Sequence, residues 1–373
     1  MQSIFSNALS RAVAKHIGLS ATRRETLSWL TLLIMRHGTI CLWRLAAFVA
    51  SAAQTDSVRR RFYRFFQFVQ IDGVLAARVV VDLLRLAGKP WVLAIDRTNW
   101  DFGKTTINIL MISVTWNGMG IPLIWMLLPA AGNSNTAERS GLLDRLRAAF
   151  PDMKIAALIG DREFIGDAWM AFLHREKIPF ILRLRENQYL LREGYAPMPI
   201  SFIAQHLKVR EKMIVKGRCW LGCQNETLSS SVRLVVMRLA SGELLALACS
   251  VNPRHALAAY RQRWTIESMF ANFKTKGFAL EATHLTNPDK LCTLLALMAF
   301  AVALAVKTGV AMARLHPIPV KKHGRRAWSL FALGLNTLRK IFVAANPDQI
   351  IAFLAQLLSP KLPIKSLRFL AFR

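Results

Sequence analysis

A short segment near residue 265 combines one carboxylate, two cations and a phenol at a regular spacing. Tyr260, Arg263, Glu267 and Lys274 follow the pattern Tyr-x2-Arg-x3-Glu-x6-Lys. On an α-helix, which turns by about 100° per residue, the last three would lie within roughly 60° of Tyr260 around the axis. One helix face would then present a single acid among groups that pair with phosphate. Such a face suits a metal-dependent site that acts on nucleic acid.

Two aspartates at the ends of predicted strands could supply the remaining oxygen ligands. Asp96 follows the apolar run 91–95, and Asp161 follows the run 154–159 after one glycine. Either aspartate alone is a weak signal, because an aspartate after a strand is commonly a turn or cap residue. Mg²⁺ prefers carboxylate oxygens, and two ions about 4 Å apart can activate water and neutralise a scissile phosphate. With Glu267, the aspartates form the predicted catalytic and metal-ligating set, which would bind two Mg²⁺ or, as a substitute, Mn²⁺.

The motifs around these acids resemble those of one transposase group. The Tyr-Arg-Glu-Lys spacing, with Asp96 in Asp-Arg-Thr-Asn-Trp and Asp161 in Gly-Asp-Arg-Glu-Phe, is similar to bacterial DDE transposases that carry the YREK signature, the group named after insertion sequence four. Segments 132–136, Gly-Asn-Ser-Asn-Thr, and 322–325, Lys-His-Gly-Arg, also resemble that group. The resemblance extends over about residues 59–334.

This resemblance implies both a fold and a reaction. The implied fold is a ribonuclease-H-like core, whereas the order of predicted strands and helices alone indicates only an α/β protein. The implied reaction is hydrolysis at a transposon end, followed by attack of the exposed 3′ hydroxyl on other DNA. In some relatives a hairpin intermediate forms and a flipped base stacks on a Trp of an inserted β region. Segment 243–247 contains no Trp and Trp220 lies upstream, so the hairpin step stays open.

The predicted architecture is α/β, with a ribonuclease-H-like catalytic core that carries an inserted, mainly β subdomain and has helical regions at both ends. A helical DNA-binding domain is expected over residues 1–88, and the first part of the core over 89–184. The β insertion is expected over 185–252, because this stretch has short alternating runs separated by Gly, Asn and Ser. Residues 253–314 complete the core with the Glu267 helix, and 315–373 form a basic helical region.

Composition indicates a polyanionic partner. The chain has 50 Lys and Arg against 22 Asp and Glu, a formal charge of +28, which favours nucleic acid binding. The expected partner is double-stranded DNA, both the terminal inverted repeats of the element and the target, with a homodimer in the synaptic complex and no membrane association. A cytoplasmic, nucleoid-associated bacterial protein is expected, since the amino terminus lacks the unbroken apolar stretch of a signal peptide.

Basic side chains near the motifs and at both ends are the candidate DNA contacts. Arg263 could form a forked phosphate contact, Lys274 a point-charge contact, and Tyr260 a hydrogen bond. The other predicted contacts are Arg59, Arg60, Arg61, Arg64, Arg162, Lys322, Arg325 and Arg326. Two alternatives stay open. The helix near residue 60 could be an ordinary amphipathic helix with a solvated basic face, and Arg263 could form an i,i+4 pair with Glu267 on a solvated helix.

Two further features have competing interpretations. The uncharged run 291–306 is 16 residues long, shorter than the about 20 residues that span a membrane, which favours a buried core helix. Cys219 and Cys223 could begin a zinc site, but no second pair follows at ligand spacing.

Three functions are therefore compared. A cut-and-paste DNA transposase is favoured. A ribonuclease-H-like nuclease without strand transfer and a non-catalytic basic DNA-binding protein are the alternatives. The presence of all three motif acids argues against the last of these.

Overall fold

The structure is a computed structural model that describes residues 9–10, 13–49, 53–103, 105–129, 132–222, 230–322 and 324–344. Helices precede the first strand in this part of the chain. They are α1 (Ala21–His37), α2 (Leu42–Ala47), α3 (Thr55–Phe68) and α4 (Gly73–Leu84). Helix α3 buries Val58, Phe62, Phe65 and Phe66, which lie three or four residues apart and so share one face. Its opposite face remains free for other contacts.

A meander of three strands begins the central sheet. The strands are β1 (Pro90–Phe102), β2 (Thr105–Trp116) and β3 (Met119–Leu128). They pair antiparallel in the order β3-β2-β1. Strand β2 is buried along most of its length, as expected of a strand whose two faces are both covered.

Two parallel strands follow, each reached through a helical connection. Helix α5 (Thr136–Ala149) leads to β4 (Lys154–Gly160), which pairs parallel to β1. A 3-10 turn (Arg162–Phe164) and helix α6 (Asp167–Arg175) lead to β5 (Phe180–Leu184), parallel to β4. Crossover helices are the usual way to return the chain for parallel pairing.

Strand β1 differs from the sequence-based prediction in its length. The prediction that Asp96 ends a strand is wrong, because antiparallel pairing with β2 continues as far as Phe102↔Thr105. Parallel pairing with β4, in contrast, stops at Ile95↔Gly160. Asp96 is therefore the first residue of β1 that is no longer paired with β4. From Asp96 onwards, β1 pairs with β2 alone.

The strands of the predicted insertion divide between two sheets. Strands β11 (Leu244–Cys249), β10 (Arg233–Arg238) and β8 (Lys212–Ile214) extend the central sheet beyond β5 by antiparallel pairing. The resulting mixed sheet has the order β3-β2-β1-β4-β5-β11-β10-β8.

A second, smaller sheet accounts for the rest of that region. It has the order β7-β6-β9, formed by β6 (Tyr189–Arg192), β7 (Tyr195–Pro199) and β9 (Cys219–Leu221). A single helical turn, α7 (Ile200–Ile203), follows β7. Cys219 is buried without a disulfide, whereas Cys223 of the considered zinc pair lies outside the described residues.

Helices close the described chain. They are α8 (Pro253–Tyr260), α9 (Trp264–Phe273), α10 (Pro288–Leu315) and α11 (Leu330–Ala344), with 3-10 turns at Arg261–Arg263 and Leu280–Ala282. Residues 345–373 of the predicted basic helical region 315–373 fall outside the described residues.

Helix α10 forms the centre of the helical layer. It is long and apolar enough to cross a membrane by length and composition, with a mean hydropathy of 2.1, yet 94% of that window is buried inside the protein. It packs against α1, α4, α11 and β3. A Cβ atom at Gly309 or Gly334 would collide with a backbone carbonyl of the facing helix, so these glycines permit close packing of α10 on α11. The structure supports the core-helix interpretation.

Candidate active site

The three motif acids come from three separate elements of the core. Asp96 lies on β1, Asp161 directly follows β4, and Glu267 lies in the first turn of α9. Strands β1 and β4 are neighbours and run parallel. The residues that follow their last pair, Ile95 with Gly160, therefore lie side by side. The convergence of the two aspartates thus follows from the sheet topology.

Helix α9 approaches the sheet closely at Gly120 of β3. A Cβ atom there would lie 2.5 Å from the carbonyl oxygen of Thr265, well inside van der Waals contact. The hydroxyls of Thr115 and Thr265 are also 3.1 Å apart. These contacts fix the start of α9 over the meander, and Glu267 follows two residues after Thr265.

Arg263 lies among the three acids. Its Nη1 atom is 2.6 Å from Oε1 of Glu267 and 3.9 Å from an Oδ2 atom of each of Asp96 and Asp161. Its side chain is only 11% exposed. The hydroxyl of Tyr260 donates a hydrogen bond to Oδ1 of Asp161 at 3.5 Å. The i,i+4 pair between Arg263 and Glu267, one of the alternatives above, is present. It lies within the acid cluster formed by Asp96, Asp161 and Glu267 rather than on a solvated helix face.

Burial and charge alter the ionisation of this cluster. Burial raises the pKa of Asp96 to about 6; the backbone N–H of Arg97 and the charge of Arg263 oppose the shift, and the nearby acids Glu163 and Asp161 add to it. Burial also raises the pKa of Tyr260, which keeps its hydroxyl protonated as a donor. Burial lowers the pKa of Arg263, but Tyr260, Asp161 and Glu267 raise it by more. Arg263 therefore supplies the permanent positive charge of the cluster.

The acids offer the donor chemistry of a divalent-metal site. Among the described residues, no three His, Cys, Asp or Glu side chains are already arranged to hold one ion. Instead, the guanidinium of Arg263 lies among Asp96, Asp161 and Glu267, the residues that would hold such an ion. Three carboxylates are suitable ligands for Mg²⁺ or Mn²⁺. In its chemistry the set therefore fits such an ion, with Arg263 as a competitor for the same oxygens.

A network around Arg97 supports the acids from behind. The backbone N–H of Arg97 donates to Oδ1 of Asp96 at 2.8 Å. Its guanidinium donates to both carboxylate oxygens of Glu163 at 3.3 Å, and to the side-chain oxygens of Asn108 and Asn133 at 3.1 Å. The network ties the segment after Asp161 to β1. Sequence reasoning did not assign these residues a role, although Arg97 and Glu163 stand inside the two motifs.

The segment 132–136 serves as part of this scaffold. Arg139, which is 5% exposed, donates to the hydroxyl of Ser134 at 2.9 Å and to the carbonyl of the same residue. Its guanidinium also lies over the ring of Phe164, 5.0 Å from the centroid. Asn135 begins α5 with a capping box closed by Glu138. The loop that presents Asn133 to Arg97 is therefore anchored on both sides.

The comparisons with known proteins address the identity of this core. The family model of the transposase DDE domain matches residues 87–304, which is more than half of the chain and includes all three acids. The chain belongs to this transposase family. No curated protein matches it significantly. A solved structure with a similar chain is described as a piggyBac transposase synaptic complex with hairpin DNA. It is 13% identical, the match covers 97% of this chain and 83% of the other, and the TM-score is 0.43.

The transposase places Lys274 differently from the prediction. Tyr260, Arg263, Glu267 and Lys274 do not share one regular α-helix, because a 3-10 turn separates α8 from α9 and α9 ends at Phe273. Nζ of Lys274 donates to the carbonyl of Asn99 at 3.0 Å and pairs with Glu281 at 2.9 Å. Lys274 thus joins α9 to the end of β1.

The predicted DNA contacts of the transposase fall into two groups. Arg61 is paired internally with Glu25 and lies over Trp29, and Arg162 pairs with Glu243. Arg59 is half-buried, pairing with Asp56 and stacking over Trp43. In contrast, Arg60 and Arg64 are exposed, on the face of α3 opposite its buried residues.

The second exposed basic surface is the turn before α11. Lys322, Arg325 and Arg326 are exposed, and the turn is closed by a bridge between Val320 and Arg326. Trp328 beside it is 52% exposed. The turn therefore exposes cations and one aromatic ring at the surface.

Proposed function

We propose that this chain is a cut-and-paste DNA transposase of the YREK-signature group that uses Mg²⁺ to cleave the ends of its element and join them to target DNA. One observation carries the proposal. Asp96, Asp161 and Glu267, which are far apart in sequence, all approach the same guanidinium nitrogen. Acids gathered around one cationic position, in a basic protein of the DDE transposase family, suit metal-dependent phosphodiester chemistry.

The proposed roles follow from this geometry. Asp96, Asp161 and Glu267 would hold two Mg²⁺ ions, which when bound activate the attacking oxygen and stabilise the leaving oxygen. Asp96, whose pKa is raised to about 6, would hold an ion in its ionised form. Arg263, once displaced from the acids, could form a forked contact with a DNA phosphate. Tyr260 stays protonated and can donate a hydrogen bond.

The proposed reaction has two balanced steps. In the first, a water oxygen forms a bond to the phosphorus at the element end, and the bond from phosphorus to the 3′ oxygen breaks. That oxygen takes up a proton and leaves as a 3′ hydroxyl. In the second step, the 3′ hydroxyl loses its proton and attacks a phosphorus of target DNA, whose own 3′ oxygen leaves. No external energy source is needed, because hydrolysis of the first phosphodiester is favourable and strand transfer exchanges one phosphodiester for another.

We further propose that the core is ribonuclease-H-like. Three antiparallel strands, β3-β2-β1, continue into two parallel ones, β4 and β5. The acids lie where β1 and β4 separate and on the helix that packs across the meander. This arrangement supports the fold that the motif resemblance implies.

The proposed partners are the terminal repeats and the target DNA, bound by a homodimer in the synaptic complex of a bacterial cell. The formal charge of +28 and the exposed cations of α3 support a DNA partner. The proposed location is the cytoplasm, in association with the nucleoid.

A strand-transfer assay separates this proposal from a nuclease without joining activity. The protein is incubated in Mg²⁺ with a duplex that carries a precleaved element end and with a target plasmid. We expect plasmid molecules covalently joined to the labelled strand that ends in the 3′ hydroxyl. A dideoxy end is the matched control and should give no joined product.

Each outcome of that assay has a distinct meaning. Nicks at the element ends with no joined product would support the nuclease alternative. Binding without nicks or joining, with either Mg²⁺ or Mn²⁺, would support the non-catalytic DNA-binding alternative. Joined product from the 3′ hydroxyl end alone is the result that the proposed transposase must give.

A further inference from the structure

An open basic cavity lies at the far end of α8 from the acid cluster. Its volume is about 670 Å³, and it is lined by the turn after β8, the start of β10 and the start of α8. Four of the nine lining residues are cationic, and none is acidic. The cationic residues are Lys216, Arg218, Arg233 and Arg254. An anionic partner is the natural complement of such a surface.

The cations of this cavity are available to a partner. All four are exposed, and none forms an ion pair with a carboxylate among the described residues. Arg233 shares its strand face with Val235, which belongs to the same buried cluster as Ala256 of α8. Arg233 therefore lies on the same side of the sheet as α8, and it lines the cavity together with Arg254. Lys216 and Arg218 flank Gly217, whose φ of +80° turns the chain at the rim of the cavity.

Helix α8 links the cavity to the proposed active site. It begins at Pro253 beside the cavity and ends at Tyr260, whose hydroxyl contacts Asp161. Eight residues of α-helix span about 12 Å. A duplex strand rises 3.4 Å per nucleotide, so this distance corresponds to roughly three or four base pairs. DNA held with one phosphate at the acids could therefore reach the cavity with its next few nucleotides.

We propose that this cavity binds the phosphate backbone of the DNA whose scissile phosphate lies at Asp96, Asp161 and Glu267. The inference rests on the proposed function and adds a binding site to it. Cations without an aromatic lining contact phosphates rather than stacked bases. The cavity thus holds the DNA in position on one side of the cleavage point, with little dependence on base sequence.

Charge reversal with a matched control tests the site. The double variant Lys216→Glu and Arg254→Glu changes one lysine and one arginine of the cavity. Lys154→Glu with Arg314→Glu is the control, because it changes the same residue types at exposed positions outside the cavity. We expect the cavity variant to lose at least about tenfold in affinity for end DNA, and its salt slope to fall by about 1.8, or 0.9 for each lost contact.

Affinity is measured by fluorescence anisotropy without Mg²⁺, so that it does not depend on cleavage. Ethylation interference then shows which phosphates matter, and we expect the affected ones to lie three or four base pairs from the nick. Equal losses in both variants, or no loss in either, would overturn the inference. Thermal unfolding should give similar midpoints for both variants and the wild type.

The design also separates this inference from the proposed function. If the wild-type protein binds element ends through the cavity but never nicks them, the binding role of the cavity is supported and the proposed cleavage is overturned. If the cavity variant nicks and joins DNA normally and its ethylation-interference pattern is unaltered, the transposase activity is supported and the binding role of the cavity is overturned.

Discussion

The cations of the acid cluster and those of the exposed basic surfaces differ in where their counter-charge comes from. Arg263 is surrounded by Asp96, Asp161 and Glu267 and is nearly buried. Arg60 and Arg64 on α3 are exposed and form no ion pair among the described residues. The protein neutralises the first set itself and leaves the second set for a partner. We therefore expect the exposed cations without an internal carboxylate partner, rather than every cation, to contact DNA.

The acid cluster is also where a metal ion would bind. Three carboxylates brought together without a cation would repel one another, and Arg263 reduces that repulsion in the metal-free protein. A divalent ion would compete with Arg263 for the same oxygens. The acid cluster should thus respond to metal and to pH, whereas the exposed basic surfaces should respond mainly to salt.

The largest expected effect is on the chemistry of the acid cluster. Glu267→Gln preserves shape but removes the charge that would help to hold a metal ion. Loss of an indirect metal contact costs about 10–100-fold, so loss of a direct ligand should lower the nicking rate by at least about a hundredfold. The nicking rate in Mg²⁺ and the affinity for end DNA are measured on the same preparation, and the affinity should not fall. A wild-type nicking rate in this variant would remove Glu267 from the metal site.

The next effect concerns Arg263 as the internal counter-ion. Arg263→Ala leaves the carboxylates without their cation and should lower the free energy of unfolding by about 3 kcal/mol, the low end for a buried pair because Glu267 is partly exposed. Mg²⁺ should restore much of this loss, as followed by urea unfolding with and without the ion. Arg175→Ala, which removes an exposed pair with Glu176, is the control and should change the free energy of unfolding much less. Equal Mg²⁺ responses in the two variants would contradict the counter-ion role.

The next effect, on the pH dependence of the free energy of unfolding, follows from the raised pKa of Asp96. The pKa rises from 3.8 in the unfolded chain to about 6 in the folded protein, so the folded protein binds the extra proton between these values. Asp96 therefore lowers stability as pH increases from about 4 to about 6. In metal-free buffer, Asp96→Asn should be more stable than the wild type at pH 7 by up to about 3 kcal/mol, and this difference should vanish near pH 4. A difference independent of pH would show that Asp96 is not the group that titrates.

The smallest effect distinguishes exposed from paired arginines on one helix. Arg60→Glu with Arg64→Glu should weaken binding of end DNA by several-fold to about tenfold, with a shallower salt slope and an unchanged unfolding midpoint. Arg61→Glu should instead lower the midpoint, since Arg61 pairs with Glu25 at 2.8 Å. Anisotropy titrations and thermal unfolding provide both readouts. The comparison fails if Arg61→Glu weakens binding as much as the double variant does while leaving the midpoint unchanged.

The strands that carry Asp96 and Asp161 could be predicted from the sequence, whereas the length of β1 could not. Asp96 and Asp161 follow apolar runs that form adjacent strands, and local pattern is enough to detect such runs. The length of β1 was not predictable in the same way, because its second half is held by pairing with β2 rather than by its own apolar pattern. Pairing between strands is a property of tertiary structure.

The directions of the basic side chains could not be deduced from spacing. Arg60 and Arg61 are adjacent in one motif, yet Arg61 turns towards Glu25 and Trp29 of α1 while Arg60 faces solvent. Helical period gives an angle around an axis, but not which neighbouring helix covers that angle. For Lys274 the assumption of one continuous helix failed, since the helix ends at Phe273 and the lysine meets Glu281.

Direct titration of Mn²⁺ into the DNA-free protein, followed by electron paramagnetic resonance, tests the central claim that Asp96, Asp161 and Glu267 form one metal site in competition with Arg263. The account predicts saturable binding by the wild type, a marked loss of affinity in Asp161→Asn, and tighter binding in Arg263→Ala because the competing cation is gone. Wild-type affinity in Asp161→Asn, together with no gain in Arg263→Ala, would contradict the account.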